Sequence, residues 1–142
     1  MKLLPRLGRS FSLSTFFLLA VTLGPGTAFA EIQEVMNSGR EEYEHNCAAC
    51  HGETGKGDGR MVEILISKPA DLTEISKRNG GVFPFWEVYN TISGEKSVIA
   101  HGTVQMPALG KKFRAEEGTY DVPAAYMRLL VLTHYLESIQ RK

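Results

Sequence analysis

Cys47 and Cys50 stand two residues apart, His51 follows at once, and the chain has no other cysteine. Residue types in this C-x-x-C-H order have a specific chemistry. Each thiol can add to one vinyl group of a porphyrin and form a thioether, and the adjacent imidazole is delivered to the iron as proximal ligand. Three plainer readings compete. A thioredoxin-like redox pair opens a helix after a strand, and no βαβ pattern is visible. Half a zinc site needs a second pair of ligands at similar spacing, and none is present. A structural disulfide is the third. Covalent haem attachment is the reading that uses all three residues.

The far side of the iron needs its own ligand. Beyond the first thirty residues the candidates are Met36, Met61, Met106, Met127, His45, His101 and His134. Met36 and His45 fall in the segment leading into the motif, and Met61 follows it too closely. Met127 and His134 fall in the last helical segment. Met106 is 55 residues beyond His51, in a loop stiffened by Pro107. A thioether there can reach over the ring from the other side, with His101 as the alternative. Histidine plus methionine makes a six-coordinate iron of raised potential, suited to passing electrons. An open sixth position would instead suggest gas binding or peroxidase-like chemistry.

The elements that place these residues are helical. Val35, Gly39, Tyr43 and Cys47 recur every four residues, which predicts a helix over 31–46 with one buried face. Gly39 inside it costs about 1 kcal/mol against alanine, a cost that makes sense where another backbone comes close. Four glycines between 52 and 59 demand a loop, expected to pass close to a haem edge. Residues 61–66 read equally as a short turn or an extended piece. Pro69 forces Lys68 out of helical geometry and leaves a carbonyl there free to accept. Asp71 or Thr73 can cap a short helix over 72–78, which Asn79-Gly80-Gly81 ends.

A second helix is expected over 82–93, with Val82, Phe85, Trp86, Tyr89 and Ile92 as an aromatic stripe against the haem. The Trp86 N–H would need a partner there, and a haem propionate is a candidate. Residues 95–110 read as irregular. Lys111, Lys112 and Arg114 form a small basic cluster beyond them, either solvated or part of a docking patch. The strongest amphipathic pattern is Ala125, Leu129, Leu132, Leu136 and Ile139, in a helix over 122–140 capped by Asp121.

The first thirty residues have the marks of a signal peptide. Lys2, Arg6 and Arg9 precede an apolar run over 11–23, Pro25-Gly26 breaks it, and Ala28-Phe29-Ala30 is an A-x-A cleavage site. The run is short for a bilayer span of roughly 20 residues, which argues against a retained anchor. Residues 31–142 would then form one domain in an oxidising compartment. The leader holds three of the sixteen basic residues and no acidic one, so thirteen stand against sixteen and the net charge is −3. Such a surface gives no reason to expect nucleic acid or anionic lipid as a partner.

The ordered set of Gly39, Tyr43, Cys47-x-x-Cys50-His51-Gly52, Lys-Pro69-Ala-Asp-Leu-Thr, Met106-Pro107 and Tyr135-Leu136 resembles class I cytochromes c, the small monohaem type in its bacterial form. The resemblance implies an all-α fold, three to five helices wrapped around one covalent haem c. It implies that Gly39 and Tyr43 pack on Leu132, Tyr135 and Leu136. It also implies that the carbonyl of Pro69 accepts from His51. The ring of lysines of the mitochondrial type is missing, so that partner specificity does not carry over. The function expected is a periplasmic one-electron carrier, not an enzyme, that docks transiently on a redox donor and an acceptor. The alternative is an electron-transfer subunit dedicated to one dehydrogenase or oxidase.

Overall fold

A computed structural model describes residues 26–95, 106–117 and 122–141. Among the described residues the regular elements are all helical, with no strand. The helices are α1 (Gly26–Asn46), α2 (Ala48–His51), α3 (Ile75–Arg78), α4 (Phe85–Ser93), α5 (Leu109–Glu117) and α6 (Val122–Ser138). Two 3-10 turns, Val62–Ile64 and Leu72–Glu74, fall in the long connection between α2 and α3. None of the described helices is long and apolar enough to cross a membrane. The basic start and apolar run of the leader, His101 and the capping Asp121 lie outside the described residues.

The frame is α1 packed across α6. Gly39 makes the crossing close, because a β-carbon there would meet the backbone carbonyl of Val131. One turn on, Tyr43 is fully buried and its ring lies 5.3 Å from that of Tyr135. Leu129, Leu132 and Leu136 of α6 complete this core, as the 4-3-4 spacing requires. The helix α1 begins at Gly26, five residues ahead of the expected start. It therefore runs across the Ala30–Glu31 bond, with Phe29 and Ile32 exposed.

Helix α5 was not expected. Its apolar signal is only Leu109 and Phe113, too short a pattern to read, and both are buried. The basic cluster is therefore on a helix rather than in a solvated loop. Arg128 of α6 holds this helix in place. Its guanidinium lies 3.9 Å over the Phe113 ring and reaches Glu116 and Glu117 at 2.8 and 3.0 Å. The same group forks onto Glu42 of α1 at 2.6 and 3.1 Å. The Glu42 hydrogen bonds hold the Arg128 guanidinium even further above its usual value. One side chain thus joins three helices.

Candidate functional site

The first turn of the site is dictated locally. Helix α1 ends at Asn46, the chain turns at Cys47, and α2 carries Ala48–His51. The Tyr43 hydroxyl donates to the carbonyl of Gly52 at 2.6 Å, which ties the end of this turn back to the core. Burial pushes the Tyr43 phenol far above its usual range, so it stays a neutral donor. Neither cysteine forms a disulfide. Burial pushes the Cys47 thiol up to about 12, with Glu42 and Cys50 adding to the effect.

His51 is 8% exposed, and its Nδ1 lies 3.0 Å from the carbonyl oxygen of Ala70. That partner requires Nδ1 to carry the proton, which leaves the ligating lone pair on Nε2. The expected acceptor, Pro69, is displaced by one residue. The Pro69 carbonyl is turned instead against Gly57, where a β-carbon would meet it. Gly57 has φ 74°, a conformation that glycine adopts freely, and no side chain could fit in that contact.

The glycine loop also has a different task from the one expected. Its backbone bonds to the haem motif itself: Gly57 N–H to the His51 carbonyl at 2.8 Å, Gly59 to Cys50 at 3.2 Å, Met61 to Ala49 at 2.9 Å. It buttresses the back of the C-x-x-C-H turn and does not line the cleft in front of it.

That cleft has a volume of about 270 Å³. Cys47, Cys50, His51 and Met106 all line it. None of the other described candidates for the distal ligand does so. Met36, Met61, Met127, His45 and His134 are elsewhere. Met61 and Met127 are exposed, His45 is bonded to the Glu41 carbonyl, and His134 lies beside Phe85 and Glu137. The walls are mostly apolar, with Leu65, Pro84, Val88, Ile92, Leu109 and Leu136 among them.

Helix α4 faces the cleft with Glu87, Val88, Thr91 and Ile92, a stripe at helical spacing that begins with Pro84 just ahead of the helix. Trp86 lies off that stripe. It is 65% exposed and stacks edge-on with Phe85 and Tyr89 at 5.3 and 5.6 Å, so the structure does not support its contact with a propionate. The cleft takes the neighbouring face of α4, and of the aromatic stripe only Ile92 reaches it. The cation that does line the cleft is Arg78, at the end of α3, and among the described residues it is the only one. Its Nη2 donates to the Asp71 carbonyl at 2.9 Å. Nothing in its sequence context, beyond its place in the last turn of a short helix, singles it out.

A family model described as "Cytochrome C oxidase, cbb3-type, subunit III" matches residues 34–127, well over half of the chain. The chain belongs to the class I c-type cytochrome family. No curated protein and no solved structure matched it.

As a c-type cytochrome it binds haem c covalently and serves haem-based electron transfer. The structure of this cytochrome fits that group. Two free thiols and a buried imidazole share the wall of an apolar cleft, and a guanidinium stands among its lining residues. The rival readings lose ground on the same observations. Among the described residues there is no strand for a thioredoxin-like pair. There is also no cluster of three or more His, Cys, Asp or Glu side chains for zinc. All buried side-chain nitrogen and oxygen atoms described have hydrogen-bond partners, so the cleft has no stray polar demand of another kind.

Proposed function

We propose that this cytochrome is an exported one-electron carrier of the periplasm, with His51 and Met106 as the axial ligands of its haem. The observation that carries the reading is the convergence of Cys47, Cys50, His51 and Met106 on one cleft. Residues far apart in sequence, at 51 and 106, line the same apolar space. In this reading Cys47 and Cys50 hold the haem by thioether bonds, and Arg78 balances the charge of a propionate.

The haem supplies a reversible one-electron couple, and the chain's residues tune and present it. Ala70 holds the His51 proton on Nδ1 and so directs Nε2 to the metal. Met106 offers a soft neutral sulfur that favours the ferrous state and raises the potential. The apolar walls keep water out and lower the cost of reorganisation. The A-x-A leader delivers the domain to the compartment where such attachment takes place. The donor and the acceptor are redox proteins docked through a small, transient interface, typically under about 1,200 Å².

Met106→Ala tests the ligand set. The ferric wild type should show a sulfur-to-iron charge-transfer band in the near infrared, and the variant should lose it along with part of its potential. A band that persisted in the variant would remove Met106 from the site. Rapid carbon monoxide binding by the wild-type ferrous protein at neutral pH would point to an open sixth position.

A second reading is favoured by the name of the matched family, which is that of an oxidase subunit. In it the cytochrome is a dedicated electron-transfer subunit. Stable co-purification with a larger redox enzyme separates the two.

A further inference from the structure

The carbonyl that His51 meets stands at the head of a loop that runs through the 3-10 turn Leu72–Glu74 into α3. It is gripped by the two residues that close the described chain beyond α6. Gln140 Nε2 donates to the Leu72 carbonyl at 2.7 Å, and its Oε1 accepts from the Ser76 N–H at 2.8 Å. The same Nε2 donates to the Leu136 carbonyl at 2.7 Å, which pins the amide to α6. Arg141 adds its backbone N–H to the Thr73 carbonyl at 2.8 Å. Its Nη2 reaches Asp71 Oδ2 and Glu74 Oε1, both at 2.8 Å. On its other side the loop is held by the Leu72 N–H, which donates to the Gly55 carbonyl at 2.6 Å.

We propose that Gln140 and Arg141 are positioning residues for His51. They clamp residues 71–76 to α6 and thereby hold the Ala70 carbonyl on the His51 Nδ1–H. Three observations support this. The bonds are to backbone on consecutive turns of the loop, so they fix the peptide planes and not merely the side chains. The peptide that carries the Ala70 carbonyl ends at Asp71, the residue that Arg141 grips. The grip spans the whole segment, since Gln140 meets Leu72 and Ser76 while Arg141 meets Asp71, Thr73 and Glu74.

The consequence is electronic. An Nδ1–H that donates to a well-placed carbonyl makes the imidazole a stronger donor to the iron, and that stabilises the ferric state. A loosened loop weakens the bond, so the reduction potential should rise. The inference rests on His51 as an axial ligand.

The test uses the holoprotein and the variants Gln140→Leu and Arg141→Lys, the second of which keeps the charge and loses the guanidinium's reach to Asp71 and Glu74. Two readouts are followed, the reduction potential and the solvent exchange of the His51 Nδ1–H in the ferrous state. The clamp predicts a higher potential and exchange faster by about fivefold or more, the worth of a weakened hydrogen bond. Trp86→Ala is the control. It strips packing from Phe85 and Tyr89 on the solvent side of α4, away from α1, His51 and the loop, and it should leave both readouts at wild-type values. If Gln140→Leu does not accumulate, Gln140→Glu retains the acceptor for Ser76 and opposes the Leu72 carbonyl, and it must speed the exchange, the potential being set aside there because the added charge itself lowers it. Variants that lose stability yet keep the wild-type potential and exchange would overturn the proposal. So would a Trp86→Ala control that moves both as far. The wild-type spectrum separates this from a failure of the ligand reading: His51 ring protons without strong ring-current shifts would remove His51 from the iron, whatever the variants do.

Discussion

Gly39 of α1 lies directly beneath the backbone carbonyl of Val131 in α6, and a β-carbon at 39 would also come within 2.9 Å of the Tyr135 β-carbon. A backbone carbonyl cannot swing aside as a flexible side chain can. Gly39→Ala gains about 1 kcal/mol of helix propensity and still should lose stability. Overpacking of this kind costs about 1–3 kcal/mol, and more against a backbone that cannot yield, so a net loss of up to about 2 kcal/mol is expected. Urea denaturation of the holoprotein measures it. A stabilised variant would show that the two helices can part at no cost.

Arg128 joins α1, α5 and α6 through Glu42, Glu116, Glu117 and the face of Phe113. Its side chain and that of Glu42 are 26% and 16% exposed, so the pair is largely shielded. Arg128→Met leaves the Glu42 carboxylate half-buried without its partner. The expected loss is about 2–3 kcal/mol, below the full penalty for a wholly buried pair. Adding Glu42→Gln should recover part of it, because the stranded charge is then gone. A double variant no more stable than Arg128→Met would contradict this account.

Arg78 is the cleft-lining cation among the described residues. Arg78→Gln removes a positive charge from the wall of the cleft and so should lower the reduction potential of the bound haem. It should also make the potential more pH-dependent near neutrality, since an unpaired propionate takes up a proton more readily. Trp86→Phe, on the solvent side of α4, should change neither. Titrating the potential of the three proteins against pH decides the matter.

Asp71 is held below the usual carboxylate range, chiefly by the hydrogen bond from the Thr73 hydroxyl and also by the charges of Arg141 and Arg78. A carboxylate whose folded pKa is depressed stabilises the fold fully above its unfolded pKa of about 3.9. That contribution is lost as the pH falls through the lower, folded value. Between pH 4 and more acid conditions, the stability of the wild type should therefore fall more steeply than that of Asp71→Asn. Denaturation midpoints through that range test it, and parallel curves would mean that Asp71 titrates alike in both states.

Much of the site was open to reading before any coordinates. The C-x-x-C-H order names its own chemistry, because thioether attachment and proximal ligation need those three residues at that spacing. The 4-3-4 spacing of Ala125, Leu129, Leu132 and Leu136 identified the buried face of α6. Periodicity alone is enough for that, since a helix brings such positions to one side. Glycine at 39 already implied a close neighbour.

Other features needed the tertiary structure. Pro69 and Ala70 are adjacent, and which carbonyl faces His51 depends on how the glycine loop turns Pro69 toward Gly57. The cleft face of α4 depends on where α5 and α6 lie, so Glu87 and Val88 line the cleft and Trp86 does not. Helix α5 exists because Arg128, distant in sequence, covers Phe113 and pairs with Glu116 and Glu117. Local pattern determined the motif and the long helices, where the information lies within a few turns of chain. The carbonyl that meets His51 and the grip of Gln140 and Arg141 were decided by contacts across some 20 to 70 residues. No spacing rule reaches that far.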